Sequence, residues 1–218
     1  LLDRWGKTDE KTLQESIDAI KEEAANMKEL VEQLLFLARG DNNTILLQPE
    51  TFSALELLEE VASETRMIDQ AHRFVVREGS GDTALIHADR SLIKQALRIM
   101  VDNAVKYTDA GGTISFAAVR DDGVVRLSVT DTGIGISPEN ITRVFDRFYR
   151  ADASRARGTG GAGLGLSIAK WIATRHNGYM EILSREGIGT RVSLVLPLAP
   201  RPEKAPEAAG EEAPSPSE

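Results

Sequence analysis

Apolar residues recur at alternating spacings of three and four through Ile17, Ile20, Ala24, Met27, Val31, Leu34 and Ala38. That pattern is a heptad seam on a long helix, and a sustained seam asks for partner helices. Packing of a plain amphipathic face on the helix's own domain is the competing reading. Gly40 and the D-N-N run behind it stop the helix, while residues 1–12 read as a helix end and a loop. The period then changes. Residues 44–47 fit a short strand, and 52–69 fit a helix with Leu55, Leu58, Val61 and Ala62 inward. R-F-V-V-R and A-L-I-H-A are short strand patterns on either side of an S-G-D turn. Asp89 precedes a strong helix in which Ile93, Leu97, Met100, Ala104 and Tyr107 keep the helical period. T-I-S-F-A-A-V and V-V-R-L-S-V-T alternate around R-D-D-G, and M-E-I-L-S and R-V-S-L-V-L around E-G-I-G, which predicts two hairpins. Leu164, Ile168 and Ile172 share one face of a further helix. Helices mixed with antiparallel hairpins define an α+β class, with the helices layered on one sheet face. The tail beyond Leu198, rich in Pro, Ala and Glu, is expected to be disordered.

Composition narrows the function classes. A chain of 218 residues holds one or two domains, and 41% hydrophobic with 28% charged residues is ordinary for a globular protein. The net charge of −8 argues against a nucleic-acid surface. Without cysteine there is no disulfide framework, thiolate chemistry or cysteine-zinc site. No apolar run approaches the ~18 residues needed to cross a bilayer, and no signal peptide opens the chain. Leu1 is not a natural start, so a fragment of a longer protein is expected.

The chemistry concentrates in residues 131–165. D-T-G-I-G opens this stretch and G-T-G-G-A-G-L-G-L closes it, with the arginine-bearing F-D-R-F-Y-R-A-D-A-S-R-A-R between them. Glycine lets the backbone approach an anion and turn its N–H groups onto it. The second cluster runs into a helix, whose N-terminus favours negative charge. Gly158, Gly160 and Gly163 satisfy G-x-G-x-x-G, but A-D-A-S-R-A-R before them is not the buried strand that a dinucleotide site needs. No Lys-Ser/Thr follows, so the P-loop pattern fails as well. A pair of flexible loops is the bland alternative.

D-N-A-V-K-Y-T upstream and G-I-G-T downstream complete an ordered set of blocks. In that order the blocks resemble the asparagine, first glycine, phenylalanine and second glycine boxes and the final G-x-G-T of the sensor histidine kinase catalytic domain. The resemblance implies a two-layer α/β sandwich of the Bergerat type, preceded by one long heptad helix. It implies ATP and Mg2+ as ligands, with the metal held by the amide oxygen of Asn103. Asn103, Lys106 and Tyr107 share a helix face by their spacing. Lys106 would offer the phosphates a point charge, and Tyr107 would lie beside the base or ribose. Asp131 would accept from the adenine amine, Gly133 and Gly135 would pass close to the base, and Thr190 would sit at the adenine end. Gly161, Gly163, Leu164 and Gly165 would hold the phosphates at the helix start. Phe145, Phe148 and Tyr149 would anchor a lid, and Arg150, Arg155 and Arg157 would face the triphosphate. Asn103, Lys106 and Arg150 carry the catalytic expectation. One departure is Ile99, where the family often has another Asn.

The nucleophile is missing from this picture. The family phosphorylates a His in an H-E/D-x-x-x-P setting, and neither His72, His87 nor His176 has one. All three read as structural, and the acceptor is expected upstream of Leu1. The organisation expected is 1–43 as part of the dimerisation and phosphotransfer hairpin, 44–198 as the catalytic domain and 199–218 as the tail. The resemblance further implies a response regulator as partner and a homodimer through helix 13–39. It also implies a cytoplasmic location, with membrane contact only through preceding segments of a bacterial sensor. Two rivals stand beside it: another ATPase of the same superfamily, and a nucleotide-binding interaction module that catalyses nothing.

Overall fold

The computed structural model describes residues 10–77, 84–150 and 161–199. Helix α1 (Glu10–Asp41) leads, followed by β1 (Glu50–Ser53), α2 (Ala54–Ile68), β2 (Arg73–Arg77), β3 (Leu85–Ala88) and α3 (Arg90–Tyr107). Then come β4 (Thr113–Asp121), β5 (Val124–Asp131), the single-turn α4 (Pro138–Ile141), α5 (Gly165–Arg175), β6 (Tyr179–Arg185) and β7 (Gly189–Pro197). The main sheet has the order β2-β4-β5-β7-β6, and β1 and β3 form a separate two-stranded sheet. Helices α2, α3 and α5 lie on one face of the main sheet. Leu57, Leu58, Ile93, Leu97, Met100, Ile168 and Ile172 meet Ile114, Phe116, Leu127 and Leu194 there, all essentially buried. The α+β class and the two layers are as the pattern predicts.

Several expectations need correction. Residues 44–47 form no strand; Ile45 and Leu47 instead lean on the core. The strand sits at Glu50–Ser53, paired antiparallel with Leu85–Ala88. Consequently Phe52 is a strand residue, and α2 starts at Ala54 with Ser53 as its cap, accepting from the Glu56 amide at 3.3 Å. R-F-V-V-R and A-L-I-H-A go to different sheets: β2 pairs in parallel with β4, while β3 pairs with β1. The S-G-D turn between them lies outside the described residues, as do residues 1–9 and the tail from 200. The helix already includes Glu10–Thr12, which the sequence had suggested for a loop.

Asp89 caps α3 as its position suggests, accepting from Ser91 and Leu92 amides at 3.1 and 3.2 Å. Both hairpins form, β4 with β5 and β6 with β7. Along α1 the heptad seam is exposed, with Ile20 at 58%, Met27 at 61% and Val31 at 54% of full exposure. A different face of the same helix meets the domain. Phe36 stands edge-on to Trp171 at 5.1 Å, and Leu37 is buried. A Cβ on Gly40 would sit 2.7 Å from the Trp171 ring, so only glycine fits that approach. Arg147 grips Asp41 with two hydrogen bonds of 2.7 and 2.8 Å. The helix therefore both packs on its own domain and leaves its seam open.

Candidate functional site

A cavity of about 970 Å³ opens between α3, the turn after β5, the segment 137–150 and the start of α5. Of the residues expected to bind, Asn103, Lys106, Tyr107, Asp131, Gly135, Arg150, Gly161, Gly163, Gly165 and Thr190 line it. Gly133 and Leu164 do not. Gly133 lies behind the wall, where a Cβ would stand 2.1 Å from the Tyr107 carbonyl oxygen. Leu164 is fully buried and places the first turn of α5, whose N-terminus then faces the cavity through Gly165.

One end of the cavity combines apolar walls with a nearly buried carboxylate. Met100, Val129, Ile182 and Val192 supply apolar walls. Asp131, at the end of β5, is nearly buried and accepts at Oδ1 from the Gly133 amide (2.9 Å) and the Thr190 amide (3.1 Å). Burial raises its pKa despite these two amides. The first glycine turn is held by tight backbone contacts. Ile134 donates to the Tyr107 carbonyl (3.1 Å), and Gly187 donates to the Ile134 carbonyl (2.7 Å). Gly135 has φ +69°, and a Cβ there would lie 2.1 Å from the Arg185 carbonyl oxygen. Gly133→Ala is expected to cost at least about tenfold in nucleotide affinity and several degrees in Tm, because backbone must move to admit the methyl. Calorimetry and a thermal melt check both, and an alanine variant with unaltered affinity counts against the tight turn.

The other end is cationic. Burial lowers the pKa of Lys106, and the charge of Arg150 lowers it further, while Glu29 opposes them. A Cβ on Gly161 would meet Lys106 Nζ at 2.8 Å, which places this ammonium against the second glycine segment. Arg150 donates to the Gly161 carbonyl at 2.6 Å. Residues 151–160, with Arg155 and Arg157, lie outside the described residues. Phe145 lies under Lys170, whose Nζ is 5.9 Å from the ring centroid. Tyr149 is pinned by its hydroxyl on Asn140 Oδ1 and by Arg143 stacked 4.3 Å from its ring centroid. Phe148 holds differently: its ring is exposed, its φ is +63°, and its amide donates to the Gly163 carbonyl at 3.0 Å.

Three groups were missed from sequence. Ser184 of β6 bonds the Ile136 amide and Thr190, and its signal was a polar residue on the inward side of an alternating strand. Asn140 lines the cavity from α4. Asn26, Glu29 and Gln33 of α1 also line it, and nothing in their local sequence marks them. Asp102 of α3 lines the cavity too; partial loss of hydration and then the charge of Glu29 raise its pKa, while Arg98 opposes them.

None of the three histidines sits in the cavity. His176 is buried, with Nε2 accepting from the Asp89 amide (3.1 Å) and Nδ1 donating to the Ile172 carbonyl (2.8 Å). His87 pairs with Thr51 on the small sheet. His72 bonds Asp69 through Nδ1 (2.8 Å) and the Thr108 carbonyl through Nε2 (3.0 Å), so it ties β2 to the end of α3. Burial alone would lower the His72 pKa, but these two acceptors raise it above 6.5. A raised folded pKa contributes stability that is present below about pH 6.5 and lost as pH rises through the folded value. His72→Gln should therefore lower Tm by several degrees at about pH 6 and by less at about pH 8.5. Equal losses at both pH values would show that the ring is not charged. Among the described residues no group of three or more His, Cys, Asp or Glu side chains is placed to hold a metal ion.

Comparison with known proteins places this geometry. The sensor histidine kinase YkoH of Bacillus subtilis is 41% identical over 194 residues, covering 89% of this chain and 42% of YkoH. Full-length ShkA in complex with AMPPNP aligns with a TM-score of 0.73 at 29% identity, over 85% of this chain and 39% of ShkA. The histidine kinase ThkA in complex with the response regulator protein TrrA aligns with a TM-score of 0.70 at 25% identity, over 88% of this chain and 53% of that one. This chain thus spans less than half the length of YkoH. Residues 88–200, more than half of the chain and the source of every cavity-lining residue except Asn26, Glu29 and Gln33, match one family, and the chain belongs to it: the histidine kinase-, DNA gyrase B- and HSP90-like ATPases.

Proposed function

We propose that this chain binds ATP with Mg2+ and transfers the γ-phosphoryl group to a histidine outside its own sequence, for relay to an aspartate of a response regulator. The observation that carries the reading is one cavity with an acceptor-lined, apolar end at Asp131 and a cationic end at Lys106 and Arg150, joined by α3. Adenine enters the first end and the triphosphate the second. Residues 1–43 belong to the dimerisation and phosphotransfer hairpin, pairing through helix 13–39, and 44–198 form the catalytic domain. The exposed seam of α1 supports that division. A cytoplasmic domain of a membrane-anchored bacterial sensor is the setting this implies.

The donor set fits a magnesium ion shared with phosphates. Asn103 brings a hard amide oxygen to the cavity and would hold such an ion together with oxygens that are not the protein's own. Bound there, the ion would neutralise charge on the β- and γ-phosphates. Lys106 and Arg150 hold the triphosphate, the α5 N-terminus and the second glycine segment orient its oxygens, and α1 limits water at the mouth. Catalysis on this plan is positioning plus charge neutralisation.

Incubation with γ-labelled ATP and a two-helix hairpin carrying the acceptor tests the reading. Acid-labile label on the hairpin histidine is expected, with none on His72, His87 or His176. Release of free phosphate without histidine label would point to a hydrolase of the same superfamily, and binding without turnover to an interaction module.

A further inference from the structure

Ser184 follows Met180 and Ile182 on the inward face of β6, with exposed Tyr179 and Leu183 on the other face. Its Oγ accepts the Ile136 amide at 2.8 Å, donates to the Gly189 carbonyl at 3.0 Å, and lies 2.8 Å from Thr190 Oγ1. A serine hydroxyl has one proton and two acceptor lone pairs. A carbonyl only accepts, so the Ser184 proton goes to Gly189. Thr190 must then be the donor in the hydroxyl pair. With its proton committed, Thr190 Oγ1 offers only lone pairs to the cavity that it lines. The neighbouring Asp131 carboxylate is an acceptor too, and the Thr190 amide is bonded to its Oδ1 at 3.1 Å. Two acceptors side by side match an exocyclic amine, which carries two hydrogens, and repel the carbonyl oxygen that replaces it in a 6-oxo purine.

We propose that Ser184 is a specificity-positioning residue: it fixes the Thr190 hydroxyl as an acceptor and pins the first glycine turn through Ile136, so that the pocket selects a 6-amino purine over a 6-oxo purine. The proposal rests on reading this cavity as the ATP site. Ser184 acts through Thr190 and Ile136 and need not touch the nucleotide. Without it the Thr190 hydroxyl is released to rotate, and it can then donate to a 6-oxo group. A merely structural loss would instead weaken both purines alike.

Calorimetry of the whole chain with ADP and with IDP separates these cases, because the two ligands differ only at that purine edge. Failure of the unaltered chain to bind either would overturn the ATP-site reading itself. The expected result is a preference for ADP that Ser184→Ala compresses by about tenfold, the scale of one hydrogen bond. Ser184→Thr keeps a hydroxyl and should restore the preference. An unaltered chain that binds ADP and IDP equally would overturn the proposal. So would a Ser184→Ala variant that loses affinity for both ligands by the same factor. If that variant does not fold, Ser184→Cys, nearly isosteric with a weak S–H donor, carries the same expectation. An undiminished ADP preference in the cysteine variant overturns the proposal equally.

Discussion

Asn103→Ala should lower phosphoryl transfer to a supplied histidine hairpin by at least about a hundredfold, with little change in Tm. The magnitude is that of removing one group from an electrostatic cradle in a water-poor site. Asn103 is half-buried on the cavity side of α3, and its neighbours on the buried side are Met100 and Ala104. The truncation therefore opens no hole in the core, and alanine suits the helix interior. Lys106 and Arg150 remain, so ADP should still bind, weakened far less than the transfer rate falls. Quantified label on the hairpin, read beside calorimetry with ADP, checks both halves. Transfer that survives at wild-type rate would mean that the phosphates are organised from another part of the cavity.

Asp131→Asn should weaken ATP binding by about a hundredfold and leave the fold intact or firmer. An asparagine oxygen can still accept from the Gly133 and Thr190 amides, so the turn after β5 keeps its anchor. The other half of the group changes from an acceptor to an N–H₂ donor, which then opposes the donor edge of the purine. A charge-assisted hydrogen bond is lost and a donor clash gained, together about 2–3 kcal/mol. Stability moves the other way. The folded pKa of Asp131 is raised, so its contribution is greatest below the unfolded value and is lost as pH rises through the folded one. At neutral pH the ionised carboxylate thus costs stability, and a neutral amide relieves that cost. Unchanged ATP affinity in this variant would remove Asp131 from the base end. A lowered Tm would show that its carboxylate is structural after all.

What sequence made legible here was local. Asp89 before an apolar helical run marked where α3 begins, and cap and amides lie within three residues of each other. Asn103, Lys106 and Tyr107 read as one face because helical spacing fixes it. The hairpins β4-β5 and β6-β7 declared themselves through alternation across short turns. What failed was set by distant partners. Phe52 looked helical because its partner Ile86 lies far along the chain. The short aromatic and β-branched run in R-F-V-V-R marks a strand but carries no sign that β2 will run parallel to β4. Ser184 gained its role from β6–β7 pairing, which sets Ser184 opposite Thr190. Asn26, Glu29 and Gln33 reach the cavity because α1 docks on distant residues, above all Trp171, which receives Gly40.

That last contact makes α1 a lever with its fulcrum at one end. The helix has 32 residues, and its buried positions are only Leu37 and Gly40, beside the Asp41–Arg147 clamp. At 1.5 Å per residue, a tilt of about 10° about Gly40 swings the first turn by roughly 8 Å. The same tilt moves Glu29, about 16 Å from the fulcrum, by only about 3 Å. A large displacement at the far end of α1 thus arrives at the cavity mouth geared down to the scale of a single hydrogen bond. It would lift or seat Glu29 beside Lys106 without disturbing the sheet beneath.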